Sequence, residues 1–441
     1  MQRQPSPMRF TERCDPPHNS AKLKMLIQAP IVLPICATPI FRGAVRVLGN
    51  EITEVGTQSD LAASPGEEII RLEGQILLPG LINAHCHLDY SCMRDAIARP
   101  KSFSAWIKKL NSIKRQLSDG DIIESIARGV EEAQLFGTTT VCSMAAFPEL
   151  MSRVPESPIR VWWFYEMIDI KHRVTSEEVV AGALSFFDQK QDPLRSFGLN
   201  PHAPYTASLL LYRMARTCAA ANNMLLTTHV AESAGESDMF RHARGDLFEF
   251  LNEIDRPMHD CGHDTPFGWL WRNGAIGGDW ILAHMNELES SDFSLLETLS
   301  TDALPHVVHC PGSHAYFGHR PFAFSRLKRI GVNLCIGTDS LASTNTLSLL
   351  EELRRLSATE PSLGADELLE TVTLAPAKAL RKHDKLGCIK PGALADLIAV
   401  PGNGPLSEAA AEVVNHRGPV SWVMVNGRVR SVSASGFSRQ G

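Results

Sequence analysis

Eight apolar, strand-like runs alternate with amphipathic helical stretches over residues 76–382, and this alternation constrains the fold more than any other feature. Strands that alternate with helices in this way form a parallel sheet covered by helices. Eight units in about 300 residues are typical of an α/β fold of the (β/α)₈ TIM barrel type, which usually takes about 250 residues. The runs end near His85, residues 140–143, 165–167, 200–202, 228–229, His284, His309 and residues 338–339.

The connections between these runs contain the predicted helices. Charged residues are spaced against apolar ones at helical intervals over 121–136, 207–222, 292–300 and 347–357. The longest connection, residues 233–278, contains another helical pattern at 246–253 and a stretch that includes two tryptophans. A long insertion after a barrel strand lies over the active face, so we expect it to form a lid or a wall of the substrate site.

Both ends of the chain have short β-strand patterns, at 25–33, 43–48 and 51–55 and again at 387–400 and 421–432. An Asn426-Gly427 pair near the end predicts a hairpin. We therefore expect a small β-sandwich domain built from both ends, with its first segment over 25–75, the barrel over 76–386 and its second segment over 387–435. Residues 1–24 lack periodicity and are expected to be a disordered tail, with Met25 as a natural first residue.

Composition and charge exclude several classes of protein. The net charge of −6 leaves no basic excess to bind phosphate backbones, so we expect no nucleic acid partner. No window approaches the roughly 18 apolar residues of a membrane span, and the first residues lack the apolar stretch of a signal peptide. The ten cysteines form no C-x-x-C pair and mostly lie in apolar runs, as expected for thiols in a reducing compartment. A cytoplasmic enzyme with a small-molecule substrate is expected.

Histidines stand at the ends of the predicted strands. His85 and His87 are two residues apart, so their side chains point to the same side of one strand. The carboxyl ends of barrel strands converge on one cavity, where these side chains can meet. Imidazoles with one carboxylate predict a divalent metal ion, with Zn²⁺ expected and Fe²⁺ or Mn²⁺ compatible. The other strand ends carry His202, His229, His284 and Asp339.

Glu232 lies three residues after His229, beside the predicted metal site. A divalent ion lowers the pKa of bound water toward about 7, which predicts hydrolysis. A carboxyl group near the ion can carry a proton from water to the substrate. Breaking an amidine-like C–N bond requires such a group, because the ring nitrogen must be protonated and ammonia must leave. The alternative interpretation of Glu232 is an exposed loop residue.

Five motifs occur in a characteristic order, and through them the chain resembles the amidohydrolase superfamily over residues 25–432. The similarity is to the branch of cytosine, guanine, S-adenosylhomocysteine and aminofutalosine deaminases and triazine hydrolases, which implies a deaminase and explains the split sheet domain. Relatives are commonly homo-oligomers. The motifs are Pro-Gly-Leu-Ile-Asn-Ala-His-Cys-His, Asn-Pro-His-Ala-Pro-Tyr-Thr, Thr-His-Val-Ala-Glu-Ser, Leu-Ala-His and Gly-Thr-Asp-Ser-Leu-Ala-Ser.

The resemblance also implies a role for each residue of the motifs. Asp339 would accept a proton from the attacking water, Glu232 would be the proton shuttle, and His284 would orient the nucleophile or polarise the target carbon. His202 would contact the substrate. The implied metal ligands are His85, His87, His229 and Asp339.

One absence points to a single metal ion. Two-metal relatives bridge their ions through a lysine at the end of the fourth strand, but residues 196–202 contain no lysine. Lys190 lies too far upstream of His202, because a strand rises only about 3.3 Å per residue.

Two further residues are candidate substrate contacts. Trp106 follows the first strand and can stack on a flat ring, although core packing is an equal alternative. His314 belongs to the segment 313–319 after the seventh strand, where loops at the active face determine specificity. His306 and His309 lie in an apolar run and are expected to be structural.

The leading interpretation is a metal-dependent hydrolase of C–N bonds other than peptide bonds. Hydrolytic deamination of an aminated heterocycle, such as a purine-like base or nucleoside, fits best. The run His87-Leu-Asp-Tyr-Ser, with a later Phe-x-x-Trp, resembles aminofutalosine deaminases more than cytosine deaminases. A triazine chlorohydrolase or amide hydrolase is the second interpretation. The third, a non-catalytic barrel relative, is disfavoured because the implied ligand set is complete.

Overall fold

The computed structural model describes residues 23–170, 174–187 and 192–431. Most of the expected tail, and Lys190, lie outside these ranges. The strands are β1 (Lys24–Val32), β2 (Ile40–Leu48), β3 (Glu51–Thr57), β4 (Glu68–Arg71), β5 (Gln75–Pro79), β6 (Leu81–Cys86), β7 (Thr138–Ala145), β8 (Arg160–Met167), β9 (Arg195–Pro201), β10 (Leu225–Val230), β11 (Trp280–His284), β12 (His306–His309), β13 (Asn333–Ile336), β14 (Leu397–Pro401), β15 (Trp422–Val425) and β16 (Arg428–Arg430).

Most helices lie between the barrel strands. Of the five predicted helical patterns, the one at 246–253 matches its helix at both ends, and the other four are displaced by two or three residues at one or both ends. The α-helices are α1 (Phe103–Lys114), α2 (Asp119–Leu135), α3 (Ser176–Phe187), α4 (Leu209–Asn222), α5 (Ala234–His242), α6 (Asp246–Glu253), α7 (Pro266–Arg272), α8 (Ser290–Glu297), α9 (Pro311–Phe317), α10 (Phe324–Ile330), α11 (Leu349–Thr359), α12 (Ala365–Glu370), α13 (Leu374–Ala379) and α14 (Ala409–Asn415).

Strands β6 to β13 form a parallel sheet in which each strand pairs with its neighbours in sequence. The first and last strands meet at a parallel bridge between Cys86 and Asp339, and the backbone N–H of Thr338 donates to the His85 carbonyl at 3.1 Å. The sheet therefore closes nearly into a barrel covered by helices. This confirms the predicted (β/α)₈ TIM barrel.

Closure of the barrel depends on Gly337, which follows β13. A Cβ atom at this position would lie 2.7 Å from the carbonyl oxygen of His85, closer than side-chain carbons approach a backbone oxygen. Glycine therefore permits the close backbone approach that joins β13 to β6. The same approach brings the residues after both strands to one place.

The barrel strands read as apolar runs because helices cover one face and side chains fill the interior on the other. All residues of β6, β7, β10 and β11 are buried. Burial on both faces removes the alternation of polar and apolar residues that marks a strand with a solvent-exposed face. The residues that follow these strands are where polar side chains enter the mouth of the barrel.

The two ends of the chain form a separate sheet, with the order β16-β15-β14-β5-β1-β2-β3 and with β4 also paired to β1. Asn426 and Gly427 have φ angles of +53° and +71° and form the predicted hairpin between β15 and β16. The expected boundary between residues 75 and 76 placed all of β5 except Gln75 in the barrel, but β5 pairs with β1 and β14 in this sheet. Its partners lie in the two chain ends, and the barrel begins at β6.

Three helices, α5 to α7, occupy the long connection 233–278 after β10. The Ser104 hydroxyl in α1 donates to Asp246 Oδ2 in α6 at 2.7 Å, which ties this connection to the loop region after β6. Within the described ranges, no helix is both long enough and apolar enough to cross a membrane.

Candidate metal centre

Four strand ends bring histidines and one carboxylate into the mouth of the barrel. His85 lies in β6 and His87 follows it, while His229 lies in β10 and His284 ends β11. The ring centroid of His85 is 5.1 Å from that of His87, 4.8 Å from that of His229 and 5.3 Å from that of His284. Asp339 follows β13, and its Oδ1 lies 3.8 Å from His85 Nε2.

The possible ligand atoms face one another closely. Nε2 of His87 lies 3.2 Å from Nε2 of His229 and 3.7 Å from Asp339 Oδ1. Two groups each have ligand atoms within 4.8 Å of one another, and both contain His85. One group adds His229 and His284, and the other adds His87 and Asp339. The predicted ligands thus lie around a common space, with His284 beside them.

The chemistry of this space fits a divalent cation. Nε2 of His85 and Nε2 of His284 are both buried without a hydrogen-bond partner among the described residues. Buried polar atoms without partners are costly, so their presence in one place calls for a missing ligand. Imidazole nitrogens with one carboxylate oxygen suit zinc, and they also suit iron or manganese.

Burial holds these imidazoles in the form that binds a metal. It lowers the pKa of His229 to about 4, and it lowers the pKa values of His85 and His87 well below their ordinary value. Burial opposes ionisation of Asp339, but nearby His284 and His85 outweigh it and lower the pKa of that carboxyl. Neutral imidazoles and an ionised carboxylate are the protonation states of metal ligands.

Neighbouring groups orient two of these side chains. Nδ1–H of His229 donates to the backbone carbonyl of His202 at 2.8 Å, which leaves the Nε2 lone pair facing the cavity. The hydroxyls of Ser313 and Ser343 donate to Oδ2 of Asp339 at 2.6 and 2.9 Å. Such partners fix the orientation of metal ligands. Neither serine was predicted to be a site residue from the sequence, although Ser343 belongs to the motif that contains Asp339.

The backbone is strained where two of the strands end. His284 has a φ of +75° and Asp339 a φ of +60°, in a region that residues other than glycine rarely adopt. Strain of this kind collects at functional sites, where the surrounding structure maintains it. Here it accompanies the change of direction by which these two side chains face the cavity.

Glu232 lies beside the group of ligand atoms. Its Oε1 is 3.6 Å from Nε2 of His284, and only 6% of its surface is exposed. Burial, together with the charges of Asp339 and Glu236, raises the pKa of Glu232 well above its ordinary value. This carboxyl is buried beside the potential ligand atoms, so the alternative of an exposed loop glutamate is wrong.

His202 lies next to His229, with ring centroids 4.8 Å apart. Its Nδ1 forms a hydrogen bond of 2.6 Å with the Thr206 hydroxyl, and its Nε2 lies 4.0 Å from Oε1 of Glu166. Burial lowers the pKa of His202 to about 3, so its ring is neutral. Glu166 was not identified from the sequence, because an acidic residue in a strand carries no distinctive pattern. Thr206 was not given a role either, although it is the last residue of the motif that contains His202.

Trp106 and His314 have their hydrogen-bond partners outside the group of ligand atoms. Nε1–H of Trp106 donates to the Ala342 carbonyl at 3.3 Å, and the indole packs at 5.3 Å from the ring of Phe317. Nε2 of His314 is bonded to the Arg320 carbonyl at 2.9 Å. The structure therefore places both residues on connections at the carboxyl ends of the strands and shows internal partners for each.

His306 and His309, both expected to be structural, have partners within the protein. The His309 ring stacks on Phe322 with centroids 4.0 Å apart, and His306 Nδ1 accepts from the Asn333 amide at 2.9 Å. Neither belongs to a group of potential ligand atoms among the described residues.

Comparison with known proteins gives consistent matches. Residues 76–430 match the profile described as "Amidohydrolase family". The 5-methylthioadenosine/S-adenosylhomocysteine deaminase of Pyrococcus furiosus is 28% identical over 88% of this chain and 91% of its own. A zinc-bound adenosine deaminase from Xanthomonas campestris superposes with a TM-score of 0.79 and 25% identity over 92% of both chains. The aminofutalosine deaminase of Helicobacter pylori has a TM-score of 0.79 over 92% of this chain and 100% of its own at 21% identity, which indicates a shared fold.

Proposed function

The chain belongs to the Amidohydrolase family, and from that membership we propose that it is a metal-dependent deaminase of adenine nucleosides. The reaction replaces the 6-amino group of the purine with oxygen from water and releases ammonia. The observation that carries this proposal is the buried carboxyl of Glu232, 3.6 Å from His284, beside five potential ligand side chains.

The comparisons narrow the class of substrate. The relative from Pyrococcus furiosus and the zinc-bound protein from Xanthomonas campestris are named for deamination of adenosine or its derivatives. Both align with most of this chain. Among the aminated heterocycles predicted from the sequence, the names of these relatives therefore favour an adenine nucleoside.

One divalent ion, zinc by this proposal, would be held by His85, His87, His229 and Asp339. Nε2 of His85, which has no hydrogen-bond partner among the described residues, fits this assignment, and so does Oδ1 of Asp339, which faces His85 and His87. When bound, the ion would supply an acidified water that can act as a nucleophile at neutral pH. His284, whose Nε2 faces Glu232, would orient the nucleophile toward the amino carbon.

The side chains then account for each proton. Glu232, protonated because of its burial, donates to the ring nitrogen beside the amino carbon, and that proton stays in the product. Asp339 accepts one proton from water as its oxygen adds to the carbon. The amino group receives this proton and leaves as ammonia. The remaining hydroxyl proton passes to Glu232, which restores its starting state.

We propose that His202, Trp106 and His314 contact the substrate. His202 is the best placed, because its neutral ring lies 4.8 Å from that of His229. Trp106 and His314 would form the outer wall of the site on the connections after β6 and β12. An aminofutalosine-type substrate, which is the narrower possibility, would also contact this outer wall.

The proposed setting is the cytoplasm, with a small molecule as substrate and no nucleic acid or membrane partner, and homo-oligomers are compatible with this role. The nine cysteines in the described ranges are free thiols, and seven of them are buried. Buried thiols are suited to a reducing compartment.

Ammonia release tests the proposed function directly. The purified protein, loaded with zinc, is offered adenosine, 5'-deoxyadenosine, 5-methylthioadenosine, S-adenosylhomocysteine and aminofutalosine, with guanine, cytosine and atrazine as comparisons. We expect ammonia and the matching 6-oxopurine nucleoside from at least one adenine nucleoside. Release of chloride or an alkylamine from atrazine alone would identify a triazine hydrolase instead. A zinc-loaded protein that converts none of these compounds would contradict the proposal.

A further inference from the structure

Glu236 has a buried carboxyl group that contacts the loop carrying Glu232. It lies in the first turn of α5, and its exposed fraction is 0%. Its Oε1 accepts the backbone N–H of Ala231 at 3.1 Å, and its Oε2 accepts the backbone N–H of Glu232 at 2.7 Å. One side chain therefore holds two consecutive peptide groups at the place where the chain turns from β10 toward α5.

This turn has an unfavourable backbone conformation. Ala231 has a φ of +50°, in the left-handed region that residues other than glycine rarely adopt. Two hydrogen bonds from the residues after β11 hold the same two residues from the other side. The side-chain amide of Asn286 donates to the Glu232 carbonyl at 3.0 Å, and the backbone N–H of Glu287 donates to the Ala231 carbonyl at 2.9 Å.

We propose that Glu236 is a positioning residue for the deamination: it holds the turn of Ala231 and Glu232 so that the Glu232 carboxyl stays beside His284. This inference rests on the proposed role of Glu232 as proton shuttle. Proton transfer requires the carboxyl to lie within hydrogen-bonding distance of its partner, so a small displacement of the turn is costly. Two acceptor oxygens are needed, because a glutamine would place an N–H₂ group against one of the two backbone N–H groups.

A capping role for α5 alone is the competing explanation. The hydroxyl of Ser233 accepts the N–H of Glu236 at 3.2 Å, as in other helix N-termini. The chain offers a matched control in Asp292, a buried carboxylate in the first turn of α8. Its Oδ2 accepts the N–H of Glu289 at 2.8 Å, and its Oδ1 accepts the hydroxyl of Thr265. Asp292→Asn therefore disturbs a helix start without touching the Glu232 loop.

The test compares Glu236→Gln with Asp292→Asn in the zinc-loaded full chain. We expect Glu236→Gln to lower kcat about 10- to 100-fold with KM and bound zinc nearly unchanged, as for a misplaced catalytic group. Asp292→Asn should lower the unfolding midpoint about as much as Glu236→Gln does. It should leave kcat within about twofold, since Asp292 lies outside this loop. Equal effects of both variants on kcat, or an unchanged kcat in Glu236→Gln, would overturn the inference.

A double-mutant cycle separates this inference from the proposed function. If Glu236 acts through Glu232, adding Glu236→Gln to Glu232→Gln should change kcat by less than about twofold. Losses that multiply in the double variant overturn the positioning role but leave the shuttle intact. An undiminished kcat in Glu232→Gln alone instead refutes the shuttle, and with it the basis of the proposed function.

Two further variants test the inference without the double-mutant cycle, in which kcat can become too low to measure. The second of them, Asn286→Ala, does not require Glu236→Gln to fold. Ala231→Gly removes the cost of the left-handed conformation, so it should restore some of the kcat lost in Glu236→Gln, by about 3- to 10-fold. Asn286→Ala removes the hydrogen bond to the Glu232 carbonyl, so it should lower kcat by about 3- to 10-fold with KM preserved. No recovery with glycine in a folded Glu236→Gln background, or an unaffected kcat in Asn286→Ala, counts against the positioning role.

Discussion

The hydroxyl of Ser313 donates a hydrogen bond of 2.6 Å to Oδ2 of Asp339. Ser343 donates to the same oxygen, so both hydroxyls hold one edge of the carboxylate. The other oxygen, Oδ1, is left facing Nε2 of His85 and His87 at 3.8 and 3.7 Å. The serines thereby decide which oxygen of Asp339 is available to a cation.

Removing these hydroxyls should weaken metal binding. We expect the Ser313→Ala, Ser343→Ala double variant to bind zinc about 10- to 100-fold more weakly, the usual effect of losing partners of a metal ligand. Titration in metal buffers measures this affinity. Ser325→Ala, which removes an exposed hydroxyl bonded to Glu360, is the control. Unchanged zinc affinity in the double variant would show that Asp339 does not depend on these bonds.

Replacing Glu232 with glutamine should stop proton transfer while preserving the site. Glu232→Gln keeps the shape of the side chain but removes its acidic proton, so kcat should fall about 10²- to 10⁴-fold. Bound zinc should stay near one ion per chain by elemental analysis. Glu297→Gln, which affects an exposed ion pair with Arg326, should leave kcat unchanged. Full activity in Glu232→Gln would refute the shuttle.

Metal removal should abolish activity and lower stability together. Dialysis against a chelator should leave an inactive protein that zinc restores, since the nucleophile depends on the ion. A zinc-loaded site at a free ion concentration of 100 times Kd should stabilise the fold by about 3 kcal/mol. Thermal unfolding with and without zinc measures this difference. Activity that survives complete metal removal would contradict the proposed chemistry.

Trp106 should affect substrate binding more than chemistry. Loss of ring stacking in Trp106→Ala should raise KM about 3- to 10-fold with a smaller change in kcat, given the usual strength of aromatic contacts. Trp422→Ala, in the separate sheet formed by the chain ends, controls for the loss of a large side chain. Equal KM values in the two variants would assign Trp106 to core packing.

His306 should make the fold sensitive to acid. Burial and the nearby cations Lys378 and Arg381 lower the pKa of His306 from 6.5 to about 4. The unfolded chain therefore binds this proton first, and stability is lost as the pH falls from 6.5 toward 4. His306→Gln keeps an acceptor for Asn333 but cannot titrate, so it should lose about 3 kcal/mol less over this window. Urea unfolding of both proteins at both pH values measures the difference. An equal loss of unfolding free energy in the two proteins would contradict the prediction.

Much of the barrel could be predicted from single segments of the chain. Strands buried on both faces appear as unbroken apolar runs, and each observed strand ends within three residues of its predicted end. The pairing of β5 was not predictable in this way. An apolar run such as 75–79 fits either sheet, and only its partners in β1 and β14 assign it.

Some residues of the candidate site could likewise be predicted from single segments, and others could not. His85 and His87 are identifiable by their spacing on one strand, and Glu232 by its place after His229. Ser313 and Glu236 have no such signal, because each acts through a hydrogen bond whose value depends on where the acceptor or donor lies. Serine and glutamate at these positions are otherwise ordinary helix residues.

The sequence by itself determined the order of strands and helices and the residue types at the strand ends, because burial and backbone preference act on neighbouring residues. The tertiary structure decided which atoms meet. Barrel closure at Gly337 carries Asp339 to His85, a separation of more than 250 positions along the chain. The left-handed turns at Ala231, His284 and Asp339 then aim the side chains, and backbone hydrogen bonds to or from neighbouring strand ends maintain those turns.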